Sequence, residues 1–260
     1  MSARTIAVAG KGGTGKTTFS SLMIRELVKR KETPILAVDA DPNSNLGESL
    51  GEDIDTTIGG VLSEFLANRL KMSQGMTKES YLEMKIEEAL EESRDVDFLV
   101  MGRKEGPGCY CVPHTILKNY MEKLLKSYRY VVVDNEAGME HLSRKTMERI
   151  DVLILVTDHS AKGLRAAGRI LGLIEELGLD IGEKYMVINR FREDDADALQ
   201  GRVDAVNAQK VYTMPEDPEI ARADALENSF YELADEIPAV SRVSEILEDM
   251  LGLPAAAGTG

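Results

Sequence analysis

The residues with the most definite chemistry lie near the amino terminus, in the run Gly10-Lys11-Gly12-Gly13-Thr14-Gly15-Lys16-Thr17-Thr18. The run fits G-x-x-x-x-G-K-[ST]. It follows a short β-branched apolar stretch and opens a helical pattern, the context that a phosphate-cradling loop requires. Glycines let backbone N–H groups turn inward around phosphate oxygens, because only glycine takes the necessary dihedrals without cost. A helix starting near Lys16 adds the positive end of its dipole. The Lys16 ammonium would reach β- and γ-phosphates, and the Thr17 hydroxyl would bind Mg²⁺. Gly12, Gly13, Thr14, Gly15, Lys16, Thr17 and Thr18 are thus the candidate phosphate-binding residues.

A magnesium triphosphate also needs carboxylates. One acid organises a metal-bound water and another orients the attacking water. Asp39-Ala40-Asp41-Pro42 ends the second apolar run, and acids at the carboxyl end of a parallel strand sit on the ligand side of the sheet. Either aspartate could instead cap a helix or fill a turn. Tyr130-Val131-Val132-Val133-Asp134 is an apolar run ending in an acid, the pattern that holds Mg²⁺ through water. In Asp134-Asn135-Glu136-Ala137-Gly138, Gly138 could let a backbone N–H swing to the γ-phosphate and couple nucleotide state to shape.

The second chemical site is Gly106-Pro107-Gly108-Cys109-Tyr110-Cys111-Val112-Pro113, which holds the only two cysteines of the chain. Residues two apart make a poor structural disulfide. Two thiolates can converge on one ion only if the backbone bends, and Gly and Pro flank them. Soft thiolates select Zn²⁺, Cu⁺ or Ni²⁺ over Mg²⁺. Two ligands leave such an ion unsatisfied, whereas a two-fold dimer would bring four together. Inert thiols remain the plainer reading of a lone C-x-C. His114 reads as a helix-start residue, and His141 and His159 have no cluster partner.

Positioning these groups requires an alternating architecture. Apolar runs at 5–9, 34–38, 96–101, 130–133, 152–156 and 185–188 read as buried strands. Helical patterns cover 17–31, 56–70, 78–93, 113–127, 140–149 and 161–177, with a last helical stretch at 241–253. Strands apolar on both faces and separated by helices predict an α/β fold, a mostly parallel sheet with helices on both sides, in one domain over 1–253. The tail 254–260 is small and flexible. The 260 residues carry 31 Lys and Arg against 45 Asp and Glu, a net charge of −14. Such a body repels phosphate backbones and anionic lipid, which argues against nucleic acid and membrane partners. No run approaches the roughly 18 apolar residues of a spanning helix. The amino terminus reads as a strand rather than a signal peptide, so a cytoplasmic location is expected.

KGGTGKTT at 11–18 resembles the deviant phosphate loop of the MinD/ParA/nitrogenase-iron-protein class. The resemblance implies an ATP-clamped homodimer in which Lys11 crosses to the partner's nucleotide and stabilises charge on its γ-phosphate. A surface lysine near a phosphate site is the alternative. DADPNSN at 39–45 resembles the switch I segment of the class. That likeness gives Asp41 the nucleophilic water and Asp39 a place behind the Mg²⁺ waters, while Asn45 stands where some members carry another carboxylate. Ile188-Asn189-Arg190 and Met214-Pro215-Glu216-Asp217 resemble the adenine-contacting strand end and the loop over the base, which makes Asn189, Arg190 and Pro215 candidate base contacts. Without the resemblance these are a strand end and a turn.

Taken together, KGGTGKTT, the GCYC loop and DNEAGMEHLSR after Asp134 look like the CooC-type ATPases, maturation factors of nickel-dependent carbon monoxide dehydrogenase, with cousins that serve acetyl-CoA synthase. The resemblance implies Ni²⁺ or Zn²⁺ held by Cys109 and Cys111 of both subunits, and delivery to such a client enzyme. Composition and spacing alone show only a thiolate pair on a nucleotide-hydrolysing domain. A MinD- or ParA-like spatial organiser and an ATP-gated iron–sulfur reductase are the competing expectations.

Overall fold

The structure, a computed structural model, describes residues 3–41, 45–68, 77–102, 111–136, 149–192 and 208–254. The elements in chain order are β1 (Arg4–Gly10), α1 (Lys16–Lys29), β2 (Ile35–Asp39), α2 (Asn45–Ser49), α3 (Ile58–Asn68), α4 (Lys78–Glu88), β3 (Leu90–Glu91), β4 (Val96–Val100), α5 (Cys111–Leu124), β5 (Tyr130–Asp134), β6 (Arg149–Asp158), α6 (Ala161–Leu177), β7 (Asp180–Phe191), β8 (Lys210–Pro215), α7 (Pro218–Ala225) and α8 (Pro238–Leu251).

The strands form one eight-stranded sheet in the order β3-β4-β2-β5-β1-β6-β7-β8. Every pairing is parallel except that of the short edge strand β3 with β4. Chain order reverses direction at β1, which lies between β5 and β6. In open α/β sheets the crevice outside the strand ends at such a reversal is where ligands bind.

The period of two along each central strand feeds two cores. Ala7, Ala9, Leu36, Val38, Val131, Val133, Leu153 and Leu155 face one side, packed with apolar residues of α3, α4, α5 and α6. Ile6, Val8, Ile35, Ala37, Val132 and Ile154 face the other, under α1 and α8. Strands β2 and β5 are buried along their whole length, which explains their unbroken apolar runs.

Helix ends follow local chemistry. The Ser160 hydroxyl accepts from the Gly163 N–H at 3.0 Å to start α6, and Gly178 ends it at φ 61°. Thr77 caps α4 in the same way, 3.1 Å from the Ser80 N–H.

Several boundaries differ from the sequence expectation. The helix expected over 78–93 stops at Glu88, because Leu90 turns back to pair with Leu99. Arg149, expected to end a helix, opens β6 instead, and 140–148 lie outside the described residues. Strand β8 lies outside the six apolar runs of the sequence. It forms the sheet edge and buries only Tyr212 and Met214, too few alternating positions to stand out.

Candidate nucleotide site

The glycine loop leaves the carboxyl end of β1 and enters α1. At Gly10 the reason for glycine is close approach: a Cβ there would lie 2.1 Å from the Val156 carbonyl oxygen of β6. At Gly15 it is also conformational, with φ 89°. Thr14 folds the loop on itself, its hydroxyl donating to the Lys11 carbonyl at 2.8 Å. Helix α1 has no side-chain cap and no acid in its first turn. Its leading N–H groups therefore remain for an anionic ligand, and the positive dipole end is not neutralised. The two loop lysines differ. Lys16 is 7% exposed, whereas Lys11 stands exposed at the loop's start.

The Thr17 hydroxyl donates to Asp134 Oδ2 at 2.5 Å, and the Ser20 hydroxyl donates to Oδ1 at 3.1 Å. Asp39 stands beside Asp134 in register across β2 and β5. Burial pushes Asp134 up to about 6, against the pull of the two hydroxyls and of Lys16. Burial likewise pushes Asp39 up to about 7, with the charges of Asp134 and Asp41 adding to it. Asp39 also shapes the turn after β2: Oδ1 accepts from the Asp41 N–H and Oδ2 from the Leu46 N–H, each at 2.9 Å. The turn-forming role that the sequence left open is thus real for Asp39. Asp41 is partly buried, and its backbone is fixed by that turn.

These donors suit Mg²⁺. They are hard oxygens from a hydroxyl and carboxylates, and a divalent cation would favour the ionised form of acids whose burial opposes it. Thr17 would be the residue to ligate such an ion, with Asp134, bonded to the Thr17 hydroxyl, beside it.

The other end of the site is a cavity of about 260 Å³ whose walls include Thr18, Asn189, Arg190, Pro215 and Asp217. Asn189 lies near the carboxyl end of β7 and its Nδ2 donates to the Thr14 carbonyl at 2.9 Å. Its Oδ1 accepts from the Arg190 N–H at 2.8 Å. Arg190 sits at φ 54°, in the left-handed region. Pro215, expected in a loop, is the last residue of β8.

Two buried polar residues at the site had no role assigned from sequence. Asp217 is 9% exposed. Its Oδ1 accepts from the Glu219 N–H at 3.0 Å and its Oδ2 from the Ala239 N–H at 3.1 Å, which caps α7 and α8 together. The signal was present: Asp followed by Pro and Glu is a helix-start signature. Asn135 follows Asp134 and its Nδ2 donates to the Val8 carbonyl at 2.9 Å, tying the end of β5 to β1. No pattern in the sequence singled it out.

The structure therefore gathers Gly12, Gly13, Thr14, Gly15, Lys16, Thr17 and Thr18 with Asp39, Asp134, Asn189, Arg190 and Pro215 around one crevice. Gly138 and Cys109 lie outside the described residues, and Cys111 is the first residue of α5, its side chain likewise outside them. Among the described residues no three His, Cys, Asp or Glu side chains group as a metal site.

Residues 5–230 match the CobQ/CobB/MinD/ParA nucleotide binding domain. An uncharacterized ATP-binding protein of Methanocaldococcus jannaschii is 40% identical over 248 residues, 95% of this chain and 98% of that one. The carbon monoxide dehydrogenase accessory protein CooC of Rhodospirillum rubrum is 29% identical over 185 residues, 67% of this chain and 70% of that one. Among solved structures, the septum site-determining protein MinD of Pyrococcus horikoshii, complexed with Mg-ADP, superposes with a TM-score of 0.67 at 21% identity, covering 96% of this chain and 98% of that one. That last likeness establishes the fold. A match across most of the chain, on a glycine loop with its lysine, threonine and aspartate in place, leads to one assignment: the chain belongs to the CobQ/CobB/MinD/ParA nucleotide-binding family and is a P-loop ATPase.

Proposed function

We propose that this ATPase is a metallochaperone. Two ATP-bound copies close face to face, and Cys109 and Cys111 of both hold Ni²⁺, or Zn²⁺, for transfer to a nickel enzyme of the carbon monoxide dehydrogenase or acetyl-CoA synthase type. The observation that carries the dimer is the contrast between the loop lysines. Lys16 is buried inside the loop and Lys11 is exposed outside it, placed to serve a phosphate presented by a second copy. Support for the cargo is the likeness to CooC and the chemistry of a thiolate pair, which a two-fold axis doubles to the four ligands of a closed site.

The roles follow from position. The loop N–H groups and Lys16 hold the β- and γ-phosphates. Thr17 and Asp134 orient Mg²⁺, which when bound neutralises charge on those phosphates. Asp41 orients the water that attacks the γ-phosphorus as the bond to the ADP oxygen breaks. Lys11 of the partner offsets the charge that develops there.

The test is equilibrium binding of Ni²⁺ and Zn²⁺, with no nucleotide, with ADP and with ATP, read beside oligomer mass. The wild-type chain should bind one ion per dimer. The Cys109→Ala/Cys111→Ala double variant should bind none and keep its ATP affinity. An unchanged metal stoichiometry in the double variant would remove the cysteine site, and a single subunit under every condition would remove the dimer.

A MinD-like spatial organiser is the second reading, favoured by membership of the CobQ/CobB/MinD/ParA family. Against it, α8 turns Val240, Val243, Ile246, Leu247 and Met250 into the core, so that these residues are not offered to a membrane. Robust ATP-dependent co-sedimentation with liposomes or DNA would favour this reading over the first.

A further inference from the structure

We infer that Asn189 is a positioning residue for the phosphate loop, so that the base end and the phosphate end of the site act as one unit. The inference rests on the nucleotide-binding reading of the site and not on its metal half.

The argument starts with the amide's inventory. An Asn side chain has two N–H donors and a carbonyl oxygen with two lone pairs. At Asn189 one donor is spent on the Thr14 carbonyl, 175 residues away in sequence, at 2.9 Å. One lone pair takes the Arg190 N–H at 2.8 Å. These two bonds fix which way the amide faces, since a reversed amide would set oxygen against oxygen and N–H against N–H. The remaining donor and lone pair are left for a ligand in the cavity that Asn189 lines. Asn189 is 5% exposed, so neither bond is weakened by competing water.

The loop is built around this contact. A Cβ on Gly15 would lie 2.2 Å from Asn189 Nδ2, so the amide fills the space that a side chain at 15 would need. Thr14 is itself pinned through its hydroxyl to the Lys11 carbonyl at 2.8 Å. A continuous path thus runs from the Arg190 N–H through the Asn189 amide and Thr14 to the carbonyl of Lys11. Arg190 adopts φ 54°, an uncommon conformation for a residue with a side chain, and it delivers the N–H that sets the amide. A side chain that served only the base would have no need to hold Thr14.

The test separates loop positioning from base contact. Asn189→Ala, with Asn189→Ser as the second variant should alanine compromise folding, is titrated with Mg-ATP and with inorganic tripolyphosphate, which has no base. Loss of one buried hydrogen bond should weaken both ligands by roughly tenfold. Amide hydrogen exchange over residues 10–18 of the nucleotide-free protein should speed up by a similar factor. Loss confined to ATP, or exchange over 10–18 equal to wild type, overturns the inference. Should wild type fail to bind ATP at all, the nucleotide reading itself falls. Should it bind ATP but too little tripolyphosphate to measure, the exchange result decides.

Discussion

Replacing Asp217 by alanine removes two helix caps at once, and the structure sets the size of the effect. Asp217 Oδ1 accepts from the Glu219 N–H and Oδ2 from the Ala239 N–H. Losing the cap of α7 costs about 1 kcal/mol. The Ala239 N–H is a harder loss. Ala239 is 1% exposed, and α8 has Pro238 in its first turn and no side-chain cap of its own. A buried donor without a partner costs about 1–3 kcal/mol. Together Asp217→Ala should lose about 2–4 kcal/mol, a fall in Tm of roughly 5–15 °C for a domain of this size. Urea unfolding is the assay, with the midpoint falling at an unchanged slope. Asp217→Ser can restore the cap on α7 but cannot reach Ala239, so it should recover less than half. A stability of Asp217→Ala within about 0.5 kcal/mol of wild type, the range of an ordinary surface substitution, would refute the double cap.

Three further outcomes are expected. Lys16→Ala should weaken ATP binding by roughly a hundredfold or more while the fold is kept, read by calorimetry beside circular dichroism. Asp41→Ala should keep ATP affinity, lower turnover by about a hundredfold or more and trap the dimer; unchanged turnover would remove Asp41 as the water-orienting residue. The third concerns pH. Burial lifts Asp39 to about 7 and Asp134 to about 6, against an ordinary value of 3.8. Between those values the folded chain holds protons that the unfolded chain releases, so stability falls as pH rises from about 4 to about 7. Urea midpoints of the nucleotide-free protein in chelator should therefore be lower at neutral pH than near pH 5, and Asp39→Asn should flatten the slope.

The phosphate loop was legible because its chemistry fixes residue types at fixed spacing, and because strand and helix patterns flank it. Asp134 was legible for a related reason, as an acid ending an apolar run buried on both faces. Contacts between distant segments left no local trace. Nothing near Asn189 announces that its amide holds Thr14, and nothing near Gly15 says that its missing side chain makes room for that amide. Strand β8 was hidden because an edge strand with one buried face shows only Tyr212 and Met214 as its pattern. Asp217 is different: its Asp-Pro-Glu context marks a helix start, but only the fold brings the amino end of α8 to the same carboxylate.

That convergence ties α8, which carries none of the phosphate chemistry, to the elements on either side of the phosphate loop. Helix α8 lies on α1, the helix that the loop enters. Arg30, at the carboxyl end of α1, donates to the Ser244 hydroxyl at 2.7 Å and to Glu248 at 2.8 Å, with its side chain 3% exposed. Arg4 of β1 reaches the Leu251 carbonyl at 3.2 Å. The strand before the loop and the helix after it are thus both clasped by α8, whose amino end hangs on Asp217. A buried guanidinium stripped of its partners costs more than the bonds themselves. Loosening α8 would therefore free its apolar face from the core and release its hold on α1 and β1, the two elements that carry the loop between them.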